Sequence, residues 1–177
     1  MAHTPDADRT WLRDAMDRYE QPLLRYAARI AGDGEAARDV VQDVFCRLAQ
    51  QPRDKVEGKL AEWLYTVCRN RCLDVRRKES RMHDASDAAL ATRPSADPGP
   101  SAVAETRDVG RKVTRLIATL PETQQEVLRL KFEHGLSYAE ISRITSLSVS
   151  NVGYLLHVAI KTLGQRVDAP LAVPAKG

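Results

Sequence analysis

KLAEWLYTVCRNRCLDVRRK, residues Lys59 to Lys78, decides how the rest of the chain is read. Leu60, Trp63, Leu64, Val67, Cys68, Cys72 and Val75 recur at spacings of three and four, so most share one arc of a helix and can bury it. The remaining arc is charged. Arg69 and Arg76 lie one heptad apart and are expected on the far side with Tyr65, while Trp63, Asn70 and Arg77 line an edge. Guanidinium groups neutralise phosphates, and an aromatic ring at the margin offers a flat surface to an unstacked base. The same letters also fit a core helix with an ordinary solvated face. Arg71 falls inside the apolar arc, so its head must reach the helix margin or meet a carboxylate.

The surrounding composition bounds what this helix can serve. In 177 residues with 43% hydrophobic content there is room for one ordinary domain or two small ones. A net charge of +3 does not by itself demand a polyanion, but the charge is segregated. Six basic residues between Arg69 and Arg81 face only Asp74 and Glu79, whereas five acidic residues between Asp84 and Asp108 face only Arg93 and Arg107. A bound polyanion requires such a bias on one element and not on its neighbour. The N-terminus lacks the basic and apolar regions of a secretory signal, and no run approaches the roughly 20 apolar residues of a membrane span, so a cytoplasmic protein is expected. Cys46, Cys68 and Cys72 form no zinc-like pattern and read as small, mostly buried residues. No metal or cofactor is expected.

Working outward to the N-terminus, helical periodicity recurs and strand-like alternation is absent, so the fold class is all-α. Asp6 or Asp8 can cap a first helix carrying Trp11, Leu12, Ala15, Met16 and Tyr19. Pro22 is expected to kink or restart it, and Leu23, Leu24, Tyr26, Ala27 and Ile30 continue to the Gly32-Asp33-Gly34 turn. From Glu35 to Gln50 the apolar residues Ala36, Ala37, Val40, Val41, Val44, Phe45 and Leu48 face a core. Asp39, Gln42, Asp43, Cys46 and Gln50 occupy the other side. Asp39 and Asp43 repel at i,i+4, which points to a basic partner. The loop Gln51 to Gly58 leads into the central helix.

Beyond Arg81 the pattern dissolves into an Ala-, Ser- and Pro-rich stretch with Pro94, Pro98 and Pro100, read as a flexible linker. It separates two helical units of about 80 and 70 residues, each small enough to have a thin core. In the second unit Val109, Val113, Leu116, Ile117 and Leu120 form one face. Pro121 starts the next helix at a first-turn position, with Val127, Leu128, Leu130, Lys131 and Phe132, ended by Gly135. Ser137 and Glu140 then form a capping box. Tyr138, Ile141 and Ile144 are expected to face inward, a tight Thr145 to Ser148 turn follows, and another helix runs from about Val149 to Leu163. With Ala139 small where helices approach, and Leu147 and Val152 filling the angle, this describes a helix-turn-helix. Ser148, Ser150, Asn151, Tyr154, His157 and Lys161 would present polar groups to base edges or phosphates.

Together, DVVQDVF at Asp39 to Phe45, AEWLYTVCRNRCLDVRRK, the Pro-bearing linker, LPETQQEVLRLKFEHGLSYAEISRIT and SVSNVGYLLHVAIKTL resemble the extracytoplasmic-function group of the sigma-70 family of bacterial sigma factors. The likeness runs from about Trp11 to Leu163. It implies a non-catalytic initiation factor that binds core RNA polymerase and directs it to promoter DNA. The domains expected are 8–81 (polymerase docking, minus-ten recognition and melting), a linker at 82–106, 107–166 (minus-thirty-five recognition) and a tail at 167–177. By similarity, Asp39, Gln42, Asp43 and Cys46 would meet the β′ clamp, with Cys46 where the family usually has leucine. Trp63, Arg69, Asn70, Arg76, Arg77 and Lys78 would capture the non-template strand, with a flipped base near the loop before them. Ser148 to Lys161 would read the minus-thirty-five element while the second unit meets the β flap. An anti-sigma factor is a further partner the resemblance allows; membrane insertion is not expected.

Many relatives carry Arg or Lys where this chain has Gly153, Leu155 and Val158, so upstream binding should depend less on salt. Alternatively Leu155, Leu156 and Val158 serve a protein partner. Two other readings compete: a helix-turn-helix regulator independent of polymerase, and a helical adaptor. The first leaves Asp39, Asp43 and the central helix without a role. The second predicts no dependence on Arg69, Arg76 or Arg77 in DNA assays. No phosphate loop, HExxH or nucleophile elbow points to an enzyme.

Overall fold

A computed structural model describes residues 5–84 and 113–168. Of the linker expected at 82–106, residues 82–84 continue the last helix of the first unit and the rest lies outside the described residues, as do Val109 and the 167–177 tail beyond Asp168. The chain divides into two compact units, Met1–Pro98 and Gly99–Gly177, and every regular element among the described residues is helical.

The first unit packs three long helices: α1 (Pro5–Ala31), α2 (Gly34–Ala49) and α4 (Leu60–Asp84). The short α3 (Arg53–Val56) and a 3₁₀ turn (Glu57–Lys59) connect the last two. Pro22 does not restart α1, which is continuous over 27 residues, and Asp6 and Asp8 lie in its first turn instead of capping it. The missing hydrogen bond at Pro22 is compensated by burial directly behind it, where Leu23, Tyr26 and Ala27 are all sealed in the core. Gly32 stops the helix at φ 75°. Asp33 starts α2, its carboxylate accepting from the Ala36 N–H at 2.8 Å. Ala37, Val40, Val41, Val44, Phe45 and Leu48 are buried, as the periodicity required.

The central helix is where sequence and structure part. Its buried residues are Leu64, Tyr65, Cys68 and Cys72, with Leu60, Trp63, Val67 and Val75 only half-buried. At 100° per residue the sealed arc is therefore rotated by about 60° from the arc the apolar letters suggested. Tyr65, expected on the charged side, is 2% exposed, and its ring meets that of Tyr26 edge-on at 5.2 Å between centroids. That contact carries α4 round. Cys68 and Cys72 fill the space against α1, where the Cys72 thiol reaches the Ala27 carbonyl at 3.8 Å.

In the second unit residues 113–118 are helical (α5), followed by α6 (Glu122–Phe132), α7 (Tyr138–Thr145) and α8 (Val149–Asp168). Pro121 is the N-cap of α6 and not its first turn, with φ −55° and ψ 144°. The Gln125 side chain joins α5 to α6 by donating to the Leu120 carbonyl at 2.8 Å. Gly135, at φ 67°, closes α6 while the Leu136 N–H returns to the Leu130 carbonyl at 3.1 Å. Arg166 of α8 ties back to the Thr119 hydroxyl and carbonyl. The core is Ile117, Leu120, Val127, Leu128, Leu130, Leu136, Ile141, Ile144, Val152, Leu156 and Ala159. Leu156 thus belongs to the core and offers nothing to a partner. Tyr138 is 42% exposed instead of inward-facing. Ala139 is exposed and takes no part in a close helix approach.

Two backbone positions in the helix-turn-helix carry the wrong residue for their geometry. Ser146 sits in the left-handed region at φ 61°, where a Cβ is penalised. Gly153 lies inside α8, yet a Cβ there would meet only the Tyr138 ring at an ordinary 3.6 Å. Ser146→Gly and Gly153→Ala should each stabilise the second unit, by about 0.5–1 kcal/mol. Chemical denaturation of the full chain, followed by hydrogen exchange of the α7 and α8 amides, measures both.

Candidate polymerase and nucleic-acid interfaces

On α2 the exposed side carries Asp39, Gln42 and Cys46, with Asp43 half-buried at its edge. All four candidates share this face. Asp39 has no ion-pair partner among the described residues. Asp43 is different: its Oδ2 lies 2.8 Å from Nε of Arg47 and 2.7 Å from Nε of Arg71. The basic partner that the Asp39–Asp43 spacing suggested is thus inside the fold for one of the two acids. Arg71 meets a carboxylate as its place in the apolar arc demanded.

On α4 the rotation of the helix rearranges the candidates. Asn70 and Arg77 are exposed and Trp63 is half-buried, and these three, one heptad apart, form the outward ridge. They were expected only at an edge. Arg69 is half-buried and lies beside that ridge; both it and Arg76 make contacts within the protein. Arg76, Arg77 and Lys78 are all exposed, but successive residues fan round a helix by about 100°, so only Arg77 continues the ridge. Arg77 also leans toward Asp74 at 3.4 Å, a loose pair with both side chains largely exposed. The loop before α4 is braced at its start. Arg53 pairs with Glu57 at 2.6 Å and lies over the Trp11 ring at 5.6 Å.

The cysteines separate cleanly. Cys46 is exposed, Cys68 and Cys72 are buried. Hydrogen bonding to Cys72 and burial push the Cys68 thiol far up, so it stays protonated and packs as a small apolar group. Among the described residues no group of three or more His, Cys, Asp or Glu side chains could hold a metal ion. No helix there is long and apolar enough to cross a membrane.

The helix-turn-helix is built by side-chain hydroxyls and one carboxylate. The Ser137 hydroxyl accepts from the Glu140 N–H at 3.3 Å, and Glu140 accepts from the Ser137 N–H at 2.7 Å. The Ser142 hydroxyl donates to the Leu147 carbonyl at 2.6 Å across the turn, and the Ser148 hydroxyl accepts from the Asn151 N–H at 3.2 Å. Ser148 is therefore engaged in starting α8. Ser150, Tyr154, His157 and Lys161 are exposed and recur at four, three and four, which places them on one stripe; Asn151, also exposed, lies on the adjoining arc. Tyr154 is 65% exposed, the most open of the large apolar side chains on the described part of this unit. Leu155 and Val158, half-buried, belong to the side that packs. The Tyr138 ring, covered on one side by Lys131 Nζ at 5.4 Å from its centroid, lies against Gly153. Spacing alone could not show that Tyr138 is held outward.

A ridge of exposed Asn70 and Arg77 with a half-buried indole on one unit, and a helix-turn-helix on the other, define an all-helical protein of two units. Comparison with known families narrows this. Residues 15–82 match sigma-70 region 2, and residues 110–163 match sigma-70 region 4. The ECF RNA polymerase sigma factor SigL of Mycobacterium tuberculosis is 31% identical over 166 residues, covering 89% of each chain. SigM of Bacillus subtilis is 27% identical, covering 82% of this chain and 88% of that one. In fold, the chain is similar to the sigma factor RpoE solved with the anti-sigma factor NepR from Bartonella quintana, with a TM-score of 0.66 at 23% identity. That match covers 89% of this chain and 99% of RpoE. It is also similar to CnrH solved with the cytosolic domain of CnrY, with a TM-score of 0.55 at 21% identity over 90% of this chain and 89% of that one. The chain belongs to the extracytoplasmic-function sigma factors of the sigma-70 family, and is a transcription initiation factor of RNA polymerase.

One electrostatic consequence is local to the second unit. Hydrogen bonds from the Ser137 hydroxyl and N–H hold the Glu140 carboxyl below the usual carboxylate range. A lowered folded-state pKa gives stability that is complete above the unfolded value, about 4.3, and lost as pH falls through the folded value. The second unit should therefore weaken on acidification below about pH 4.3, and Glu140→Gln should flatten that acid limb. Thermal melts of the full chain against pH give the slope.

Proposed function

We propose that the chain works without catalysis of its own, in the bacterial cytoplasm, as the subunit that docks on core RNA polymerase, selects a promoter and helps part its strands. The exposed α2 face of Asp39, Gln42 and Cys46, with Asp43 at its edge, docks on the β′ clamp. The second unit meets the β flap. The ridge Trp63–Asn70–Arg77, flanked by Arg69, Arg76 and Lys78, takes the non-template strand of the minus-ten element, with a flipped base near the braced loop before α4. The stripe Ser150, Tyr154, His157 and Lys161, with Asn151 beside it and Ser148 at its start, reads the minus-thirty-five element. The domain limits 8–81 and 107–166 belong to the same reading. The similar sigma factor RpoE is solved in complex with the anti-sigma factor NepR, which supports an anti-sigma factor as a further partner.

The observation that carries the strand-capture role is the outward turn of Trp63, Asn70 and Arg77 on an otherwise well-anchored helix. An indole and an amide can engage an unstacked base, and a guanidinium one helical repeat on can meet its phosphate. Base stacking worth about 1–3 kcal/mol offsets part of the few kcal/mol that unstacking costs. Promoter-specific run-off transcription with purified core polymerase tests the whole reading; no promoter-directed transcript overturns it. In that system Arg77→Ala should weaken open-complex formation and lower the logarithmic salt slope by about 0.7–0.9, as loss of one phosphate contact requires. Trp63→Ala should weaken opening at every salt concentration without changing the slope.

The upstream helix makes a different expectation. Lys161→Ala should weaken binding to all duplexes about equally and reduce the salt slope by about 0.9. Tyr154→Ala should instead relax discrimination among minus-thirty-five variants, by about 1–3 kcal/mol at the base it touches. Competition binding by the holoenzyme over a set of single-base variants separates the two.

A further inference from the structure

The outward stripe of α8 is poor in charge. Of Ser150, Tyr154, His157 and Lys161 only the lysine is a permanent cation, and Gly153, Leu155 and Val158 add none. His157 is the member whose charge is not fixed. Histidine is the side chain whose ordinary charge change falls between about pH 5 and 8. On this stripe its protonation takes the surface from one cation to two.

The fold leaves that change to an outside partner. His157 is exposed and makes no hydrogen bond, ion pair or ring contact with the described residues. On α8 its neighbours one turn away are Gly153, Tyr154 and Lys161, and the only acid of that helix, Asp168, lies about three turns further on. From α7 the Tyr138 ring leans on Gly153, and Lys131 of α6 lies over that ring. The acids of the elements packed against α8 are already engaged. Glu140 of α7 accepts from the Ser137 N–H at 2.7 Å, Glu133 at the end of α6 pairs with Arg129 at 3.6 Å, and Glu122 and Glu126 of α6 make contacts of their own. Arg143 is the remaining charge of α7, and Arg115 the only one of α5. No carboxylate among the described residues is paired with the ring, so the group that stabilises its charged form has to come from elsewhere.

DNA supplies such a group. A phosphate oxygen, or the O6 and N7 acceptors of a guanine edge, favours the imidazolium, which donates from both ring nitrogens, over the neutral ring, which donates from one. Acceptor binding and proton uptake then promote each other. The sign follows: affinity rises as pH falls through the histidine range and is lost as pH rises through it.

We propose that His157 makes minus-thirty-five recognition proton-linked: charged, it donates to an acceptor of the upstream duplex and tightens binding; neutral, it contributes little. This rests on the role proposed above for the α8 stripe.

The test is equilibrium binding of the holoenzyme, formed from the full chain, to a labelled promoter duplex at pH 6 and pH 8 and at several salt concentrations. Wild type, His157→Gln and His157→Lys are compared. From pH 8 to pH 6 the wild type should gain about three- to ten-fold in affinity over and above any change shown by His157→Gln. His157→Lys should bind at pH 8 as tightly as at pH 6. A gain spread evenly over single-base variants, with a logarithmic salt slope steeper by about 0.9, assigns the acceptor to a phosphate. A gain confined to one G·C pair, with the slope unchanged, assigns it to a guanine edge, and either result supports the proton link. The proposal is overturned if wild type and His157→Gln respond alike to pH. A wild-type holoenzyme with no preference for promoter duplex at either pH overturns the functional reading itself, an outcome distinct from that one.

Discussion

The edge-on meeting of Tyr26 and Tyr65 is the constraint from which the first unit follows. Most of the α4 surface is charged or polar, so few rotations of the helix bury enough apolar area to hold it against α1 and α2. The observed one seals Leu64 and Tyr65 and leaves Leu60 and Val67 at the margin. A tyrosine ring offers more area than either of those aliphatics, and an aromatic pair at this geometry adds about 0.5–1.5 kcal/mol beyond its area. Rotation in favour of Tyr65 then turns Trp63, Asn70 and Arg77 outward. The ridge proposed to take the strand is a consequence of what the core selected.

The second unit depends on short-range chemistry instead. Hydroxyl groups at Ser137, Ser142, Thr145 and Ser148 each bond to backbone within five residues, closing both ends of α7 and opening α8. Together they fix the angle between the two helices with little demand on the small core beneath. The left-handed Ser146 is retained inside this network, which over-determines the turn and carries its strain. The result is a rigid presentation of the α8 stripe, the condition under which a few polar groups can discriminate between bases.

This contrast explains what could be read from the letters. Helix positions, the break at Gly32-Asp33-Gly34, the Ser137–Glu140 box and the Gly135 stop were legible because each depends on residues a few places apart. The identity of the two units was legible for the same reason: the motifs are local and occur in series. The rotation of α4 was not, because it depends on Tyr26, far upstream. Counting apolar letters put Leu60, Val67 and Val75 on the buried arc and left Tyr65 on the charged side, and the partner ring reversed that choice. The Asp43–Arg71 pair was half legible. Each residue was recognisably out of place alone, Arg71 in an apolar arc and Asp43 beside Asp39, but only packing shows that they answer each other. The helix does not restart at Pro22 because the proline's cost is local, whereas the burial of Leu23, Tyr26 and Ala27 that compensates it is not. Tyr138 misled because helical spacing cannot tell a ring laid over Gly153 from one pointing inward.

The proposed nucleic-acid surfaces differ in kind, and the difference bears on how recognition would be divided. The α8 stripe has one permanent cation, Lys161, beside a histidine, a tyrosine and a serine. The end of α4 has Arg76, Arg77, Lys78 and Arg81 exposed. Counterion release scales with the number of phosphates neutralised, so the α4 surface would supply the larger electrostatic share and α8 the smaller. Hydroxyl, imidazole and phenol groups, weak toward phosphate, are suited to base edges and thymine methyls. On the proposed reading, then, the upstream helix contributes register and discrimination more than affinity, and polymerase docking must make up the difference. A factor arranged this way would bind promoter duplex poorly by itself, because the groups that read sequence are not those that neutralise charge.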